Sequence, residues 1–141
     1  MIKIGITGSL SSGKTTVSKI LSYKRGPLFN ADKVVKEIYR SKLFKRKVSK
    51  IFKIKNNNQI KNSLKKIIFN NNTNIKKLKK IIHPLVRKKM QFFTIKHKNK
   101  KLLFYEIPLL IESKLMKFFH VIIFVKANKS VIPVFNILLL F

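Results

Sequence analysis

The sequence predicts an α/β fold in which an open, parallel β-sheet carries helices on its faces. Short apolar runs rich in β-branched residues alternate along the chain with segments whose apolar residues recur every three or four positions. A glycine-rich segment also joins the first apolar run to the first helical segment. Because parallel strands need long crossover connections, which are usually helices, this alternation is typical of a parallel sheet.

The first part of the chain predicts two strands, each followed by a helix. The first strand covers residues 1–7, an apolar run with isoleucine at alternate positions. The first helix covers 14–22, where the apolar residues lie three or four positions apart. A Gly-Pro pair at 26–27 breaks the chain before a short strand at 28–30, and a second helix covers 31–39.

The middle of the chain, about 41–101, predicts a helical subdomain that is rich in Lys and Asn. Two asparagine runs separate its helical patterns, which lie at about 43–54, 59–69 and 74–97. Basic residues become rare after residue 101, and the pattern there predicts a strand at 102–105, a helix at 109–117 and a strand at 119–125. We interpret the whole chain, 1–141, as one domain with an atypical apolar tail at about 127–141.

The formal net charge of +29 has two interpretations. Strong positive charge favours contact with nucleic acid or an anionic membrane surface. Readers of nucleic acid favour arginine, whereas 29 of the 33 cations here are lysines. Lys, Ile, Asn and Phe make up 73 of the 141 residues, which indicates drift toward A/T-rich codons. We therefore expect no specific nucleic-acid partner, although a non-catalytic basic binding protein remains an alternative.

The composition also limits the chemistry. Cysteine is absent, which excludes disulfides, a thiol nucleophile and a cysteine-based zinc site. No apolar stretch approaches the ~20 residues that span a bilayer, and no leader sequence is recognisable, so we expect a cytoplasmic protein with no membrane partner.

The carboxylates of the sequence are Asp32, Glu37, Glu106 and Glu112. Any acid–base or metal chemistry must therefore use these four side chains.

Residues Gly8–Thr15 match the phosphate-loop pattern G-x-x-x-x-G-K-[ST] in full, between a predicted strand and a predicted helix. Glycines let backbone N–H groups turn toward a phosphate, and the helix adds its positive N-terminal end. Lys14 is expected to reach the β- and γ-phosphates of ATP, and the Thr15 hydroxyl is expected to ligate Mg²⁺. The residues expected to bind ATP are Gly8, Ser11, Ser12, Gly13, Lys14, Thr15 and Thr16.

Two carboxylates stand where a nucleotide site would need them. Glu106 follows the predicted strand at 102–105, as the metal-binding acid of a Walker-B strand does, although it is equally well a solvated glutamate that opens a loop. Asp32 follows the strand at 28–30 and begins a helix, where aspartate is a good capping residue. In small P-loop kinases an acid at this place faces the acceptor hydroxyl and takes its proton.

Four segments carry a more specific resemblance: 4–16 with the loop, Pro27–Asp32, Ile82–Arg87 and Pro108–Glu112. In this order and spacing they resemble the dephospho-coenzyme A kinase family. Many NTPases share the loop alone. Its combination with Asp32, the His83-Pro84 pair and the Pro-Leu-Leu-x-Glu segment is far more specific.

The resemblance implies a P-loop NTPase-type fold with a helical acceptor-binding insertion. It implies transfer of the ATP γ-phosphate to the 3′-hydroxyl of dephospho-CoA, the last step of CoA biosynthesis, with ATP and Mg²⁺ as cofactors. Asp32 and Lys14 would be catalytic, Thr15 and Glu106 would hold the metal, and Asp32, His83 and Arg87 would bind the acceptor. His83 and Arg87 have simpler interpretations as a residue at a helix bend and a surface cation.

The sequence departs from the family in four places, one of which is a modest change in the acid before the Pro-Leu-Leu segment, here Glu106. Asn30 stands where the family usually has a first aspartate, and Lys36 stands where an arginine is common. Beyond Val125 the family continues into an arginine-bearing lid, whereas here no arginine follows Arg87. The sequence therefore predicts that the lid region is missing, by truncation or frameshift, and that the 141-residue chain is a poor kinase or none. Another small-molecule P-loop kinase remains an alternative.

Overall fold

The computed structural model describes residues 1–9, 11–54, 60–69, 71–111, 115–127 and 135–140. The strands are β1 (Ile2–Gly8), β2 (Leu28–Asn30), β3 (Leu102–Glu106), β4 (Val121–Ala127) and β5 (Phe135–Leu140). The α-helices are α1 (Lys14–Ser22), α2 (Ala31–Arg40), α3 (Lys42–Phe52), α4 (Ile60–Ile68) and α5 (Asn72–Lys96). A short 3₁₀ helix covers Met116–Phe118.

The strands form one sheet in the order β2-β3-β1-β4-β5. The first four run parallel, which confirms the predicted α/β fold with a parallel sheet. Strand β5 pairs antiparallel with β4, an addition that the alternation of strands and helices does not predict. It covers the edge that β4 would otherwise present, and unpaired strand edges are a common site of further pairing.

The strand register brings three strand ends to one edge of the sheet. Ile6 of β1 pairs with Glu106 of β3, and Glu106 pairs on its other side with Asn30 of β2. Because β1, β2 and β3 are parallel, these residues lie at the carboxyl ends of their strands, where ligands bind in open α/β sheets.

The chain divides into two compact units. The first unit contains the described residues of Met1–Asp32 and Met90–Phe141, and the second unit contains those of Lys33–Lys89. The sheet and α1 belong to the first unit, whose buried core includes Ile6, Val17, Phe104, Ile123 and Val125. The second unit is helical and starts earlier than the predicted subdomain at about 41–101. Its own core consists of Ile38, Phe44, Val48, Ile60, Leu64, Leu78 and Ile81.

The helices of the second unit follow from local signals. The Ser41 side chain accepts a hydrogen bond from the Phe44 N–H and caps α3. The buried residues of α3 and α4 lie four positions apart, so each helix turns one apolar stripe inward. Among the described residues, no helix has the combination of length and apolar character that crossing a membrane requires.

The predicted helix at 109–117 is wrong for the residues that the structure describes. Residues 108–111 form a turn, and the next regular element is the 3₁₀ helix at Met116–Phe118; Glu112 and its neighbours 113–114 lie outside the described residues. Leu110 is buried in this turn, and its Cδ1 lies 2.6 Å from where a Cβ on Gly5 would stand. Packing of Leu110 onto β1 therefore overrides the helical periodicity.

Candidate phosphate-binding and metal site

The phosphate loop connects β1 to α1, and both of its glycines have backbone conformations that favour glycine. A Cβ on Gly8 would stand 2.0 Å from the carbonyl oxygen of Val125, and the φ angle of Gly8 is 152°. Gly13 has a left-handed φ of 80° and precedes α1 as its N-cap. The turn of the loop against β4 therefore requires glycine at position 8, and glycine at position 13 favours the left-handed entry into the helix. Leu10, inside the motif, lies outside the described residues.

Three polar groups of the loop point to anion binding. The Lys14 ammonium donates a hydrogen bond to the Ser9 carbonyl oxygen at 2.5 Å, so this side chain lies across the loop. Helix α1 has no acidic residue in its first turn, so its N-terminal N–H groups keep their positive potential. The Ser12 hydroxyl is buried, with 1% of the residue exposed, and has no hydrogen-bond partner among the described residues. Donors arranged in this way suit a phosphate.

Glu106 is the central carboxylate of the site. It is 2% exposed, and both of its oxygens accept hydrogen bonds. The Thr15 hydroxyl donates to Oε1 at 2.5 Å, and the Asn30 amide donates to Oε2 at 2.6 Å. A buried carboxylate is stable only with such partners, because its desolvation costs several kcal/mol. Glu106 is thus held in place inside the candidate site. It is not a solvated loop residue, which was the alternative interpretation of the sequence.

Asn30 is the residue whose contribution sequence reasoning missed. The sequence marks it only as the loss of an acid, whereas its amide holds a carboxylate oxygen of Glu106. The contact follows from the pairing of Asn30 with Glu106 across β2 and β3. A signal was available in principle, since both residues end a strand, but the sequence does not show that these two strands are neighbours.

Hydrogen bonds also join the carboxyl ends of β1 and β3. Thr7 Oγ1 donates to the Pro108 carbonyl oxygen at 2.9 Å, and the Ile107 N–H donates to the Ile6 carbonyl oxygen at 2.9 Å. Both bonds join the end of β1 to the loop that follows β3. They hold the phosphate loop and Glu106 in fixed relation, which a site for a metal and a phosphate needs.

Asp32 and Thr16 lie at the edge of this arrangement. Asp32 is exposed in the first turn of α2, two residues after Asn30, where its charge complements the positive end of the helix. Thr16 is exposed in the first turn of α1. The structure therefore brings Thr15 of the loop, Glu106 and Asn30 into direct contact. Asp32 is linked to this group only by its position in the chain, two residues after Asn30.

His83 and Arg87 belong to the second unit, one turn apart on α5. Both are exposed. Partial burial lowers the pKa of His83 from its usual value, and the positive charges of Arg87 and Lys79 lower it further. His83 is therefore mainly neutral at neutral pH, so its ring can accept as well as donate hydrogen bonds.

Comparisons of the sequence with known proteins all point to one family. The family model described as dephospho-CoA kinase matches residues 2–131. The dephospho-CoA kinase of Rickettsia prowazekii is 34% identical over 131 residues, which covers 93% of this chain and 68% of that protein. The dephospho-CoA kinase of Fusobacterium nucleatum is 38% identical over 134 residues, which covers 91% of this chain and 68% of that protein.

Solved structures agree with the sequence comparison. A crystal structure of a protein from Thermus thermophilus has a TM-score of 0.77 and 27% identity, and the match covers 90% of this chain and 66% of that one. Dephospho-CoA kinase from Campylobacter jejuni has a TM-score of 0.65 and 26% identity, with 91% and 66% covered. The chain thus spans about two thirds of the length of these relatives.

Proposed function

Because this chain belongs to the dephospho-CoA kinase family, we propose that it transfers the γ-phosphate of ATP to the 3′-hydroxyl of dephospho-CoA. The relatives are named for this activity, a transferase reaction that completes CoA biosynthesis. The observation that carries the proposal is the hydrogen bond from Thr15 to Glu106 at 2.5 Å, beside a complete phosphate loop. It places a hydroxyl and a carboxylate, both expected at a nucleotide–metal site, in direct contact.

The loop residues bind the triphosphate of ATP in this proposal. Backbone N–H groups of Gly8 and of Ser11–Thr15 bind the β-phosphate, and Ser11, Ser12 and Thr16 add hydroxyl donors. The Lys14 ammonium moves from the Ser9 carbonyl oxygen to the β- and γ-phosphates and stabilises the charge on them during transfer.

The Thr15–Glu106 pair fits Mg²⁺. Both groups offer oxygen donors, which this hard cation prefers, and Mg²⁺ in nucleotide sites takes few protein ligands because phosphates and waters complete its shell. When bound, Mg²⁺ neutralises charge on the β- and γ-phosphates. Asn30 keeps Glu106 oriented by holding its second oxygen. The described residues contain no group of three or more His, Cys, Asp or Glu side chains arranged as a metal cage.

Asp32 is the proposed acceptor-activating residue. It is exposed at the N-terminal end of α2, directly after the strand that carries Asn30. From there its carboxylate orients the 3′-hydroxyl of the acceptor and accepts the hydroxyl proton during transfer, a role typically worth ~10²–10⁴-fold in rate. His83 and Arg87 are proposed to bind the acceptor, with Arg87 suited to a phosphate group.

The remaining proposals concern partners and location. We propose ATP and dephospho-CoA as the small-molecule partners, a cytoplasmic location, no membrane partner and no specific nucleic-acid partner. Any binding to DNA or RNA through the lysines would be independent of sequence and would weaken steeply with salt.

The test of the proposed function is the choice of acceptor. The purified chain is incubated with ATP and Mg²⁺ and with dephospho-CoA, shikimate or nucleosides in parallel, and the products are identified by mass spectrometry. The proposal predicts CoA from dephospho-CoA and no phosphorylation of the other alcohols. Preferential phosphorylation of another alcohol would assign the chain to a different kinase activity.

A further inference from the structure

One edge of the sheet is formed by β5, which pairs with β4 on one of its sides. Among the strands that the structure describes, none pairs with its other side. Successive residues of a strand turn their N–H and C=O groups to alternate sides, so about half of the backbone groups of β5 face away from β4. A row of such groups is a template for a further strand. Strand β5 therefore offers an edge of six residues for pairing.

The two edges of the sheet differ in how well they are protected against pairing. Lysine, proline and short strand length are common means of protection. The opposite edge is β2, which has three residues and directly follows Pro27. Strand β5 has six residues, of which five are apolar, and it contains no lysine, proline or glycine. Uncharged apolar segments of this length pair readily with other strands. The side of β5 that faces away from β4 is therefore the open edge of this sheet.

The distribution of charge indicates which partner fits this edge. The chain has a formal net charge of +29, but residues 130–141 contain no charged side chain. Two copies of a strongly cationic protein repel each other, so they can approach closely only where charged side chains are absent. An acidic partner would instead be drawn to the lysine-rich parts of the chain. A second copy of this chain thus suits the uncharged edge better than an acidic protein does.

We propose that the open edge of β5 binds β5 of a second copy in antiparallel orientation, which forms a two-fold symmetric dimer with one continuous sheet. Two identical edges are complementary in this orientation, because the two-fold axis sets each outward N–H opposite a carbonyl oxygen of the other copy. The pairing also closes the assembly. Both β5 edges are used in the dimer, and its outer strands are the two short β2 strands.

The proposed pairing keeps the two phosphate loops apart. Strands β1 to β4 run parallel to one another, and β5 runs antiparallel to them. Across an antiparallel β5 pair, the parallel strands of one copy therefore run opposite to those of the other copy. The phosphate loop follows the carboxyl end of β1, so the two loops lie at opposite ends of the strands in the continuous sheet. Each copy keeps its own site, and turnover per chain should not depend on dimerisation.

The first measurement is sedimentation velocity of the purified chain at concentrations between roughly 1 µM and 1 mM, the range of weak interfaces. We expect an equilibrium between monomer and dimer and no larger species, because the dimer has no open β5 edge. Leu138→Lys, near the middle of β5, should raise the dissociation constant at least about tenfold, since it brings two like charges close across the two-fold axis. Gln91→Lys, at an exposed position of α5, adds the same charge and should stay within about twofold of the parent chain.

The second measurement is disulfide cross-linking, which does not require Leu138→Lys to fold. The sequence has no cysteine, so a single introduced thiol reports one contact. A residue on the two-fold axis lies opposite itself in the other copy, at a Cα distance of about 4.5–5.5 Å that a disulfide bridges. Ile137 and Leu138 are the central residues of β5. Oxidation should therefore give a covalent dimer rapidly from Ile137→Cys or Leu138→Cys and slowly, if at all, from Gln91→Cys.

Three results would overturn the proposal. A chain that stays monomeric at the highest concentration would leave the edge to a different protein. Growth of species larger than the dimer would show that the apolar segment associates without a two-fold axis. Equal effects of Leu138→Lys and Gln91→Lys, together with equal cross-linking of all three cysteine variants, would place the contact between copies elsewhere. Transfer of phosphate to dephospho-CoA is measured separately, so the failure of the dimer and the failure of the proposed function are distinguishable.

Discussion

The Thr15 hydroxyl donates a hydrogen bond to Glu106 Oε1 at 2.5 Å, which joins the first turn of α1 to the carboxyl end of β3. The two residues are 91 positions apart in the sequence. Their contact depends on the pairing of β1 with β3, which sets the phosphate loop beside the strand that ends in Glu106. The proposed metal site therefore depends on the strand order as well as on the phosphate-loop motif that supplies Thr15.

Replacing Thr15 by valine should weaken the Mg²⁺-dependent part of ATP binding by at least about tenfold. Valine keeps the branched shape and removes the hydroxyl that would ligate the metal and that bonds Glu106. Thr15→Ser keeps the hydroxyl and should remain close to the parent chain. Titration of ATP with and without Mg²⁺ measures the difference. Equal affinity of the valine and serine variants would remove Thr15 from the metal site.

Replacing Asn30 by alanine should lower the free energy of unfolding by about 1–3 kcal/mol, because it leaves an oxygen of the buried Glu106 carboxylate without its donor. Urea denaturation measures the change. Asn62→Ala, at an exposed position on α4, is the control and should stay within about 0.5 kcal/mol of the parent. A loss at Asn30 no larger than that at Asn62 would contradict the role assigned to the Asn30–Glu106 bond.

Replacing Asp32 by asparagine should lower kcat by about 10²–10⁴-fold and leave the Kd for ATP nearly unchanged, because the residue acts on the acceptor and not on the phosphate loop. Glu37→Gln, the other carboxylate of α2, is the control and should change kcat little. Steady-state turnover together with ATP titration separates the two effects. A normal kcat for Asp32→Asn would show that Asp32 does not act on the acceptor and only places a negative charge at the N-terminal end of α2.

Acidification should destabilise the chain partly through His83. Burial and the charges of Arg87 and Lys79 lower its pKa in the folded state, so the folded chain binds the proton less readily than the unfolded one. The resulting contribution to stability is absent above the unfolded pKa, near 6.5, and becomes unfavourable as pH falls through it toward the folded pKa. Urea denaturation at pH 7.5 and pH 5 should show a smaller loss for His83→Gln than for the parent chain. Identical losses in both would contradict this assignment.

The sequence predicts much of the fold because its signals are periodic. The apolar spacing of residues 14–22 predicts α1 with the bounds that the structure shows, and the predicted second helix ends within one residue of α2. The phosphate loop can be recognised in the sequence because its glycines and Lys14 lie within one segment of eight residues, Gly8–Thr15. Glu106 can be recognised in the sequence as a candidate metal ligand because it directly follows the predicted apolar strand at 102–105.

Other features depend on contacts between distant residues and were not predictable. The role of Asn30 requires β2 to lie next to β3, and the sequence carries no strand order. The turn at 108–111 replaces a helix because Leu110 packs where Gly5 leaves space.

The most direct test of the proposed reaction follows the γ-phosphate of ATP itself. The purified chain, Lys14→Ala and Lys19→Ala are each given γ-labelled ATP, Mg²⁺ and dephospho-CoA, and the label in CoA is measured against time. Lys19 is an exposed lysine on the same helix and controls for the loss of one charge. We expect labelled CoA from the parent chain and from Lys19→Ala, at whatever rate, and a loss of roughly 10²-fold or more in Lys14→Ala. Label transfer that is unchanged in Lys14→Ala, or no labelled CoA from a folded parent chain, would contradict the claim that this loop transfers phosphate to dephospho-CoA.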